Sequence, residues 1–455
     1  MREPQKSLHP SAQKTKKIVH GVHVILAALL CLGLGGCLKP PPPAGITRLQ
    51  FYCLGWLDDR AYMMKMINAF ERENPDIKVD LTLLNPTMDY SQHMQTLIIG
   101  GVVPDVMSVD IANYFEWADR GMLMDVTDIM EGAAREQKMT FMPIVPDELL
   151  NHGRYYVVPY NMCGVIVELN LDIFKQAGIA IPPPAGLTWD WVAQVAPRLA
   201  RRSGHPDSRA EFFFSMPDMT SMLFSFGAKI FDDPVNPHRV LVNSPEAAEM
   251  CRFVRQLVAT KAVISRAETL NPSNIAVESM FMRGQAAAWI MGLFIHPGMN
   301  GVPAGFNWDV APFPAGPGGR RVTANGAYAL GISPHTPHAA AARRFLRFFL
   351  SPEGIAILDQ PGAAMPLFRE LLTAPGIMPQ PPDPPHRQYF VDTMESGMCA
   401  FPVHGPGVAE LRHIIDSRLG QVSADPDVPI PVILKTLEDE IYRWLAREKQ
   451  DGFYP

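Results

Sequence analysis

The stretch that decides the fold covers residues 49–84 and reads LQFYCLGWLDDRAYMMKMINAFERENPDIKVDLTLL. Residues 49–54 are apolar enough to predict a buried strand, and residues 60–73 follow the spacing of an amphipathic helix. Asn74-Pro75 ends that helix, because proline disfavours the helical conformation of the residue before it. Residues 77–83 then alternate between apolar and polar side chains, which predicts a second strand. The order strand, helix, strand indicates an α/β fold.

The same order continues along the chain. We predict a helix at residues 90–99 and a short buried strand at 106–109, which completes a β-α-β-α-β unit. Such a unit predicts a parallel or mixed sheet covered by helices, with ligands at the carboxyl ends of the strands. The alternation resumes after Val157 and runs to about Pro314. Helical patterns then dominate, at residues 337–350, 385–396, 406–421 and 429–448.

The amino terminus has the pattern of an export signal. Residues 22–34 are almost wholly apolar, follow a lysine-rich segment and run into Leu34-Gly35-Gly36-Cys37. Small residues before a cysteine suit lipoprotein processing, so we predict a lipoprotein signal peptide at residues 1–36 and lipidation of Cys37. The alternative is a transmembrane anchor, but this apolar run is shorter than the ~20 residues that a membrane-spanning helix needs.

The segment after Cys37 suits a tether. Residues 37–47 include four consecutive prolines, which favour an extended spacer. Two acyl chains on one cysteine are enough for stable anchoring. We therefore expect the mature chain outside the cytoplasm, lipid-anchored to a bacterial membrane, in the periplasm or at the cell surface.

Net charge and chain length limit the possible partners and the number of lobes. Residues 1–36 carry five Lys or Arg and one Asp or Glu, and without them the formal net charge changes from −6 to −10. An acidic chain without a basic stripe or finger spacing argues against a nucleic-acid partner. The remaining length suits two lobes in one chain, and we expect a monomer.

Cysteines outside the export signal are scattered at Cys53, Cys163, Cys251 and Cys399. Four cysteines allow three pairings, between which the sequence does not choose. Because none of the four lies in a metal-like or redox-like doublet, buried thiols are the favoured interpretation. Neither a metal site nor another cofactor is expected.

Short motifs in a fixed order and spacing carry a family resemblance from about Gln50 to Leu445. They are Phe70-Glu71, Asn74-Pro75, Pro104-Asp105-Val106, Asp119-Arg120-Gly121-Met122-Leu123, Pro159-Tyr160-Asn161, Thr188-Trp189-Asp190, Gly284-Gln285-Ala286-Ala287, Trp308-Asp309-Val310-Ala311-Pro312, Asn325-Gly326 and Ser351-Pro352-Glu353-Gly354. Together they resemble the family 1 extracellular solute-binding proteins of ABC importers, the group that includes maltose-binding protein.

The resemblance implies a type II periplasmic-binding-protein-like fold, in which two α/β lobes joined by hinge segments close on a solute. It implies chain crossings at residues 157–161 and 307–314. The first lobe would contain residues 48–158 and 312–350, and the second lobe 159–311 and 351–455. The implied function is the substrate-binding component of an ABC transporter, which captures a sugar or oligosaccharide and delivers it to the permease subunits.

Candidate ligand residues in the first lobe follow from their predicted places at strand ends. Trp56 offers an aromatic face to a sugar, or packs in its loop. Asp58 accepts hydroxyl hydrogen bonds, or caps the next helix. Asp110 ends the third strand as an acceptor for sugar hydroxyls, and Tyr114 lines the same wall.

Further candidates lie at the crossings and in the second lobe. Tyr160 and Asn161 would face the cleft, or serve strand packing and turn bonding. The others are Phe294, at a position where maltose-binding protein carries tryptophan, Asn325, which offers an amide or belongs to a turn, and Phe401 and His404, in the loop before the helix at 406–421.

Two other classes of function remain as alternatives. A secreted carbohydrate-active enzyme would need opposed carboxylates across a cleft, whereas the acidic pairs here are adjacent in sequence. The sequence also lacks the Gly-x-Ser-x-Gly and His-Glu-x-x-His motifs, so we expect no enzyme. A bilobed sensor or scaffold lipoprotein without transport is the second alternative.

Overall fold

The computed structural model describes most of the chain after residue 44. The described residues are 45–54, 57–84, 90–99, 102–202, 219–234, 236–263, 281, 283–284, 286–292, 306–322, 325–358, 367–373, 385–386, 388–395, 405, 407–452 and 454. The chain divides into two units, Met1–Ile46 and Thr47–Pro455, and the fold below is that of the second unit. The predicted signal peptide, most of the predicted tether and the predicted lipidation site Cys37 lie outside the described residues.

Strands and helices alternate through the first third of the described fold. The strands are β1 Thr47–Leu54, β2 Ile77–Leu84, β3 Val106–Asp110, β4 Val158–Asn170, β5 Ala288–Gly292, β6 Trp308–Pro312 and β7 Asn325–Ile332. The helices in that part are α1 Leu57–Glu73, α2 Tyr90–Ile99, α3 Ile111–Asp119, α4 Thr127–Gln137 and α5 Ile144–Leu149. The predicted β-α-β-α-β order is confirmed, with limits that differ by a few residues.

Helices outnumber strands in the rest of the described chain. They are α6 Leu171–Gln176, α7 Trp189–Arg202, α8 Met219–Ser225, α9 Pro245–Ala259, α10 Ala339–Phe349, α11 Pro352–Leu358, α12 Gln388–Glu395, α13 Val408–Ala424 and α14 Ile430–Gln450. Among the helices of the described residues, none combines the length and apolar character that a membrane span requires.

The strands form one mixed sheet in the order β2-β1-β3-β7-β4-β5, with β6 also paired to β4. β1 pairs in parallel with β2 and β3, as consecutive β-α-β units require. β7, which comes much later in the sequence, is antiparallel to both β3 and β4 and lies between them. The sheet is therefore mixed, as predicted.

β4 belongs to both halves of the sheet. Its first part, as far as Gly164, pairs with β7. From Val165 onward it pairs with β5, and from Ile166 onward also with β6. The strand changes partners without a break, so this single element connects two α/β halves.

Two hydrophobic clusters follow this division. The first cluster contains the apolar side chains of β1, β3 and α10, where Phe345 meets Phe51 and Phe70 edge-on at centroid distances of 5.4 and 5.0 Å. The second cluster contains those of α7, α9, α13 and α14, including Trp189 and Trp444. Each half buries its own core, which suits two lobes on one shared strand.

The segment after β6 packs with the second cluster, whereas the sequence assigned residue 312 onward to the first lobe. Phe313 is 1% exposed within that cluster, and Ala315 forms a bridge with Thr188. The Arg321 guanidinium donates hydrogen bonds to the carbonyls of Phe313, Leu187 and Pro184. These contacts hold the segment from Phe313 to Arg321 against the second cluster.

The first cluster continues beyond residue 350, the predicted end of the first lobe. The apolar residues that extend it belong to α11 and to the segment after it: Ile355, Leu358, Leu367, Phe368 and Leu371. The lobe limits themselves stay predictions.

Two of the scattered cysteines are buried thiols, Cys53 and Cys251. Burial raises the pKa of Cys251 to about 12. This confirms the favoured interpretation for these two residues. The side chain of Cys163 and all of Cys399 lie outside the described part of the chain.

Candidate functional site

Three residues lie side by side across the sheet where β3 ends. Asp110, the last residue of β3, is directly opposite Tyr328 in β7. Tyr328 is in turn opposite Asn161 in β4. This row brings together two predicted ligand residues, Asp110 and Asn161, from parts of the chain that are distant in sequence.

Tyr328 is the residue of this row that sequence reasoning missed. It lies within Ala327-Tyr328-Ala329, a lone aromatic side chain between small residues just after Asn325-Gly326. That pattern shows one large side chain in a strand of small residues. The register that places Tyr328 beside Asp110 depends on pairing between distant segments, so the sequence does not reveal it. We call Asp110, Tyr328 and Asn161 the edge row.

A buried polar layer lies directly beneath the edge row. The Ser108 hydroxyl accepts a hydrogen bond from the amide of Leu54 at 3.1 Å and lies 3.4 Å from the Cys53 sulfur. The Tyr90 hydroxyl donates to the Ser108 carbonyl at 2.7 Å. These contacts join the ends of β1 and β3 to α2, so the edge row rests on a hydrogen-bonded layer of buried side chains.

Tyr160 belongs to this buried layer and not to an open wall. Its side chain is 6% exposed, and its hydroxyl lies 4.0 Å from the Cys53 sulfur. Its ring is nearly parallel to that of Tyr328 at a centroid distance of 6.4 Å and meets Phe349 edge-on at 6.2 Å. Burial raises the pKa of Tyr160 well above its usual value, which keeps the phenol neutral.

Tyr114 has a position that does not support its predicted role at the wall of the cleft. It is fully buried, its hydroxyl donates to the Leu149 carbonyl at 2.6 Å, and it accepts from the Tyr156 amide at 3.4 Å. Burial raises the pKa of Tyr114 far above its usual value. A ring enclosed in this way packs α3 against α5, and it is not available to a solute.

Asp58 lies within the first turn of α1, because this helix begins at Leu57. The predicted helix start at residue 60 is therefore too late, and the alternative role of Asp58 as the residue before the helix is wrong. Asn325 begins β7 and is opposite Gly164, where β4 changes partners. The predicted ligand residues Trp56, Phe294, Phe401 and His404 lie outside the described residues.

Asp309, an acidic residue of the second half, binds the segment that precedes α12. Asp309 in β6 is 7% exposed and accepts a hydrogen bond from the His386 amide at 3.0 Å. Its other oxygen lies 2.5 Å from Nδ1 of His386, whose ring stacks on Tyr389 at 5.5 Å. The contact fastens the segment leading into α12 to β6, which indicates a structural role.

A groove of about 410 Å³ lies between α13 and α14, and its lining does not include a residue of the edge row. It is lined mainly by charged side chains that pair with one another. The Arg418 Nε donates to Glu440 at 2.7 Å, and Arg447 donates to Glu410 at 2.6 Å. Within the part of the chain that the structure describes, no group of three or more His, Cys, Asp or Glu residues could hold a metal ion.

Comparison with known protein families matches residues 55–356 to the family described as bacterial extracellular solute-binding protein. The matched range begins just after β1 and ends within α11. It therefore covers both halves of the sheet, including the whole of β4 and the edge row.

A lipoprotein from the oleD 5' region of Streptomyces antibioticus, itself uncharacterized, is 25% identical over 364 residues, which are 78% of this chain and 78% of that protein. The ABC substrate-binding protein Lmo0181 of Listeria monocytogenes, solved in complex with cycloalternan, has a TM-score of 0.74 and 23% identity, covering 90% of this chain and 100% of that chain. The MalE3 protein of T. maritima, solved with maltose, has a TM-score of 0.71 and 19% identity, covering 88% and 100%. At these identities the solved structures show the shared fold.

Proposed function

This chain belongs to the bacterial extracellular solute-binding protein family, and we propose that it captures a sugar or oligosaccharide between its two lobes and delivers it to the permease of an ABC transporter. Membership of this family implies a location outside the cytoplasm. The protein would act as a monomer, held at the membrane by lipid on Cys37.

The observation that carries the proposal is the edge row. An acidic side chain and an aromatic ring lie next to each other at the carboxyl end of β3, where open α/β sheets bind their ligands. A carboxylate accepts hydrogen bonds from sugar hydroxyls, and an aromatic face packs on sugar C–H groups. Similarity to proteins solved with cycloalternan and with maltose supports the same class of solute.

The proposed ligand residues come from both lobes, because a solute closes the lobes only if it binds the closed form better. β4 supports this arrangement, since it runs from one hydrophobic cluster to the other and gives both lobes a common axis. The set proposed is Trp56, Asp58, Asp110, Asn161, Phe294, Asn325, Phe401 and His404, while Tyr160 supports the edge row from behind.

The test is a thermal-shift screen with maltose, cycloalternan, mannitol and glucose. A sugar at 100 times its dissociation constant should stabilise the fold by about 2.7 kcal/mol. X-ray scattering should report a smaller radius of gyration with that sugar, and chromatography should return the sugar chemically unchanged. A hydrolysed sugar would instead identify an enzyme.

Asp110→Asn should weaken binding while the unliganded melting temperature stays nearly constant. Asp190→Asn is the matched control, because Asp190 is an exposed carboxylate in the first turn of α7. No stabilisation by any sugar, with a folded protein, would overturn the proposal.

A further inference from the structure

Asp110 and Tyr328 present their side chains on the same face of the sheet. Residues directly opposite each other on antiparallel strands have Cβ atoms about 4.5–5.5 Å apart and point the same way. Ser108 precedes Asp110 by one strand repeat, so its side chain points to that face as well. The hydroxyl of Ser108 and the thiol of Cys53 lie in contact there.

The side chains on this face of the sheet form a buried inner layer and a partly exposed outer layer. Cys53 and Ser108 are 0% exposed and Tyr160 is 6% exposed, so the inner layer is closed to any solute. Asp110 and Tyr328, one step nearer the end of the strands, are both partly exposed. A molecule that approaches the carboxyl end of β3 therefore meets Asp110 and Tyr328 before any residue beneath them.

The ring of Tyr328 has a rigid backing. Its plane is inclined by 27° to the ring of Tyr160, which in turn rests on Phe349 of α10. An aromatic side chain held in one orientation loses little conformational entropy when a ligand packs on it. Tyr328 thus supplies a preorganised aromatic surface beside a carboxylate.

We propose that Tyr328 contacts the solute directly, with its ring packed on the C–H groups of a sugar whose hydroxyls donate to Asp110. This inference rests on the proposed function and deepens it, since it assigns the aromatic residue that faces the sugar at the base of the cleft. Tyr160 acts through Tyr328 as a positioning residue. The pairing of β7 with β4 continues from Tyr328 to Asn325, which is opposite Gly164. The proposed solute position is therefore close to the point where β4 passes between the halves.

The experiment measures the affinities of maltose and cycloalternan by calorimetry for the wild-type protein and for Tyr328→Phe, Tyr328→Leu and Tyr328→Ala. Loss of the ring in Tyr328→Ala should weaken the better-bound sugar about tenfold, which corresponds to about 1.4 kcal/mol. Tyr328→Phe keeps the stacking surface and should stay within about threefold of the wild type, on the same scale. Tyr328→Leu keeps much of the volume without the aromatic face and should resemble Tyr328→Ala.

Tyr442→Ala is the matched control, because Tyr442 is a 44% exposed tyrosine on α14. Its affinity should equal that of the wild type. A tyrosine absorbance difference on adding sugar reports contact independently of stability, and it should be smaller in Tyr328→Phe than in the wild type.

The outcomes separate this inference from the proposed function. If the wild type binds a sugar and folded Tyr328→Leu binds it equally well, the role of Tyr328 is refuted while the proposed function stands. If the wild type binds no sugar, both are refuted. A loss in Tyr328→Phe as large as in Tyr328→Ala would overturn the packing of the ring on the sugar, because phenylalanine keeps that ring.

Discussion

Glu448 and Glu440 both lie on α14, yet their surroundings shift their acidities in opposite directions. Glu448 is 6% exposed, and burial raises its pKa above the usual value. Glu440 receives hydrogen bonds from Arg418, which lower its pKa. The first side chain therefore favours folding when protonated, and the second favours folding when ionised.

We expect Glu448→Gln and Glu440→Gln to change stability with opposite signs near neutral pH. The stability that protonated Glu448 contributes is complete below its unfolded pKa of about 4.5 and is lost as the pH rises through its folded pKa. Glu448→Gln should therefore be more stable than the wild type at neutral pH and equal to it in acid. Ionised Glu440 contributes stability above its unfolded pKa, and this is lost as the pH falls through its folded pKa.

Melting temperatures of the three proteins between about pH 4 and pH 8 check this prediction. Glu440→Gln should melt below the wild type at neutral pH, and this difference should shrink in acid. Differences of the same sign for both variants would contradict the assigned environments.

The position of a single residue was predictable where the neighbouring sequence determines it, and was not where tertiary packing does. The position of Asp110 at the end of β3 was predictable because a short apolar strand precedes it, whereas its role toward a ligand stays a prediction. Tyr114 was misplaced because its direction depends on how α3 packs against Leu149. Tyr328 was missed because its neighbour Asp110 is brought to it by tertiary pairing.

The junction of α10 and α11 depends on the absence of a side chain. A Cβ atom on Gly354 would lie 2.0 Å from the Phe348 carbonyl oxygen and 3.0 Å from that of Phe349. These acceptors belong to the end of α10, whose phenylalanines pack in the first cluster. The glycine lets α11 turn closely over α10.

Gly354→Ala should destabilise the protein by about 1–3 kcal/mol, because backbone atoms must move to admit the methyl group. Gly420→Ala is the control on α13, where a Cβ would meet nothing within 4 Å. It should stabilise by about 0.5–1 kcal/mol, since alanine favours the helix over glycine. Urea unfolding midpoints measure both changes. An equal effect of the two substitutions would show that the junction tolerates a side chain.

Elements with a clear period were predictable and their pairing was not. Helices α10, α13 and α14 lie close to the predicted ranges, because apolar side chains recur along each at helical spacing. The place of β7 between β3 and β4 leaves no mark in the local pattern, since it joins segments that are distant in the sequence. The lobe limits leave no local mark either, because only packing shows that Phe313 lies with the second cluster and that Ile355 and Phe368 lie with the first.

At the scale of the whole molecule, β4 makes the two halves depend on each other. Its first part completes the sheet over the first cluster, and its second part begins the sheet over the second cluster. Unfolding of either half would remove pairing partners from a strand that the other half needs. We therefore expect the described fold to melt in one transition.

Tryptophan fluorescence and far-ultraviolet circular dichroism should give coincident thermal curves. Gly354→Ala, which acts in the first cluster, should lower the single melting temperature. It should also lower the free energy of opening that hydrogen exchange reports for α14, by the same amount as the free energy of unfolding. Two separated transitions, with only the first sensitive to Gly354→Ala, would show that the halves unfold independently.

The late position of β7 also bears on biosynthesis. The ribosome completes β3 and β4 long before it reaches residues 325–332, so each of those strands has an unpaired edge in the nascent chain. Open strand edges are templates for aggregation. The first lobe cannot close its sheet until Ile332 has been made, and a chain truncated before that residue would leave the gap between β3 and β4 unfilled.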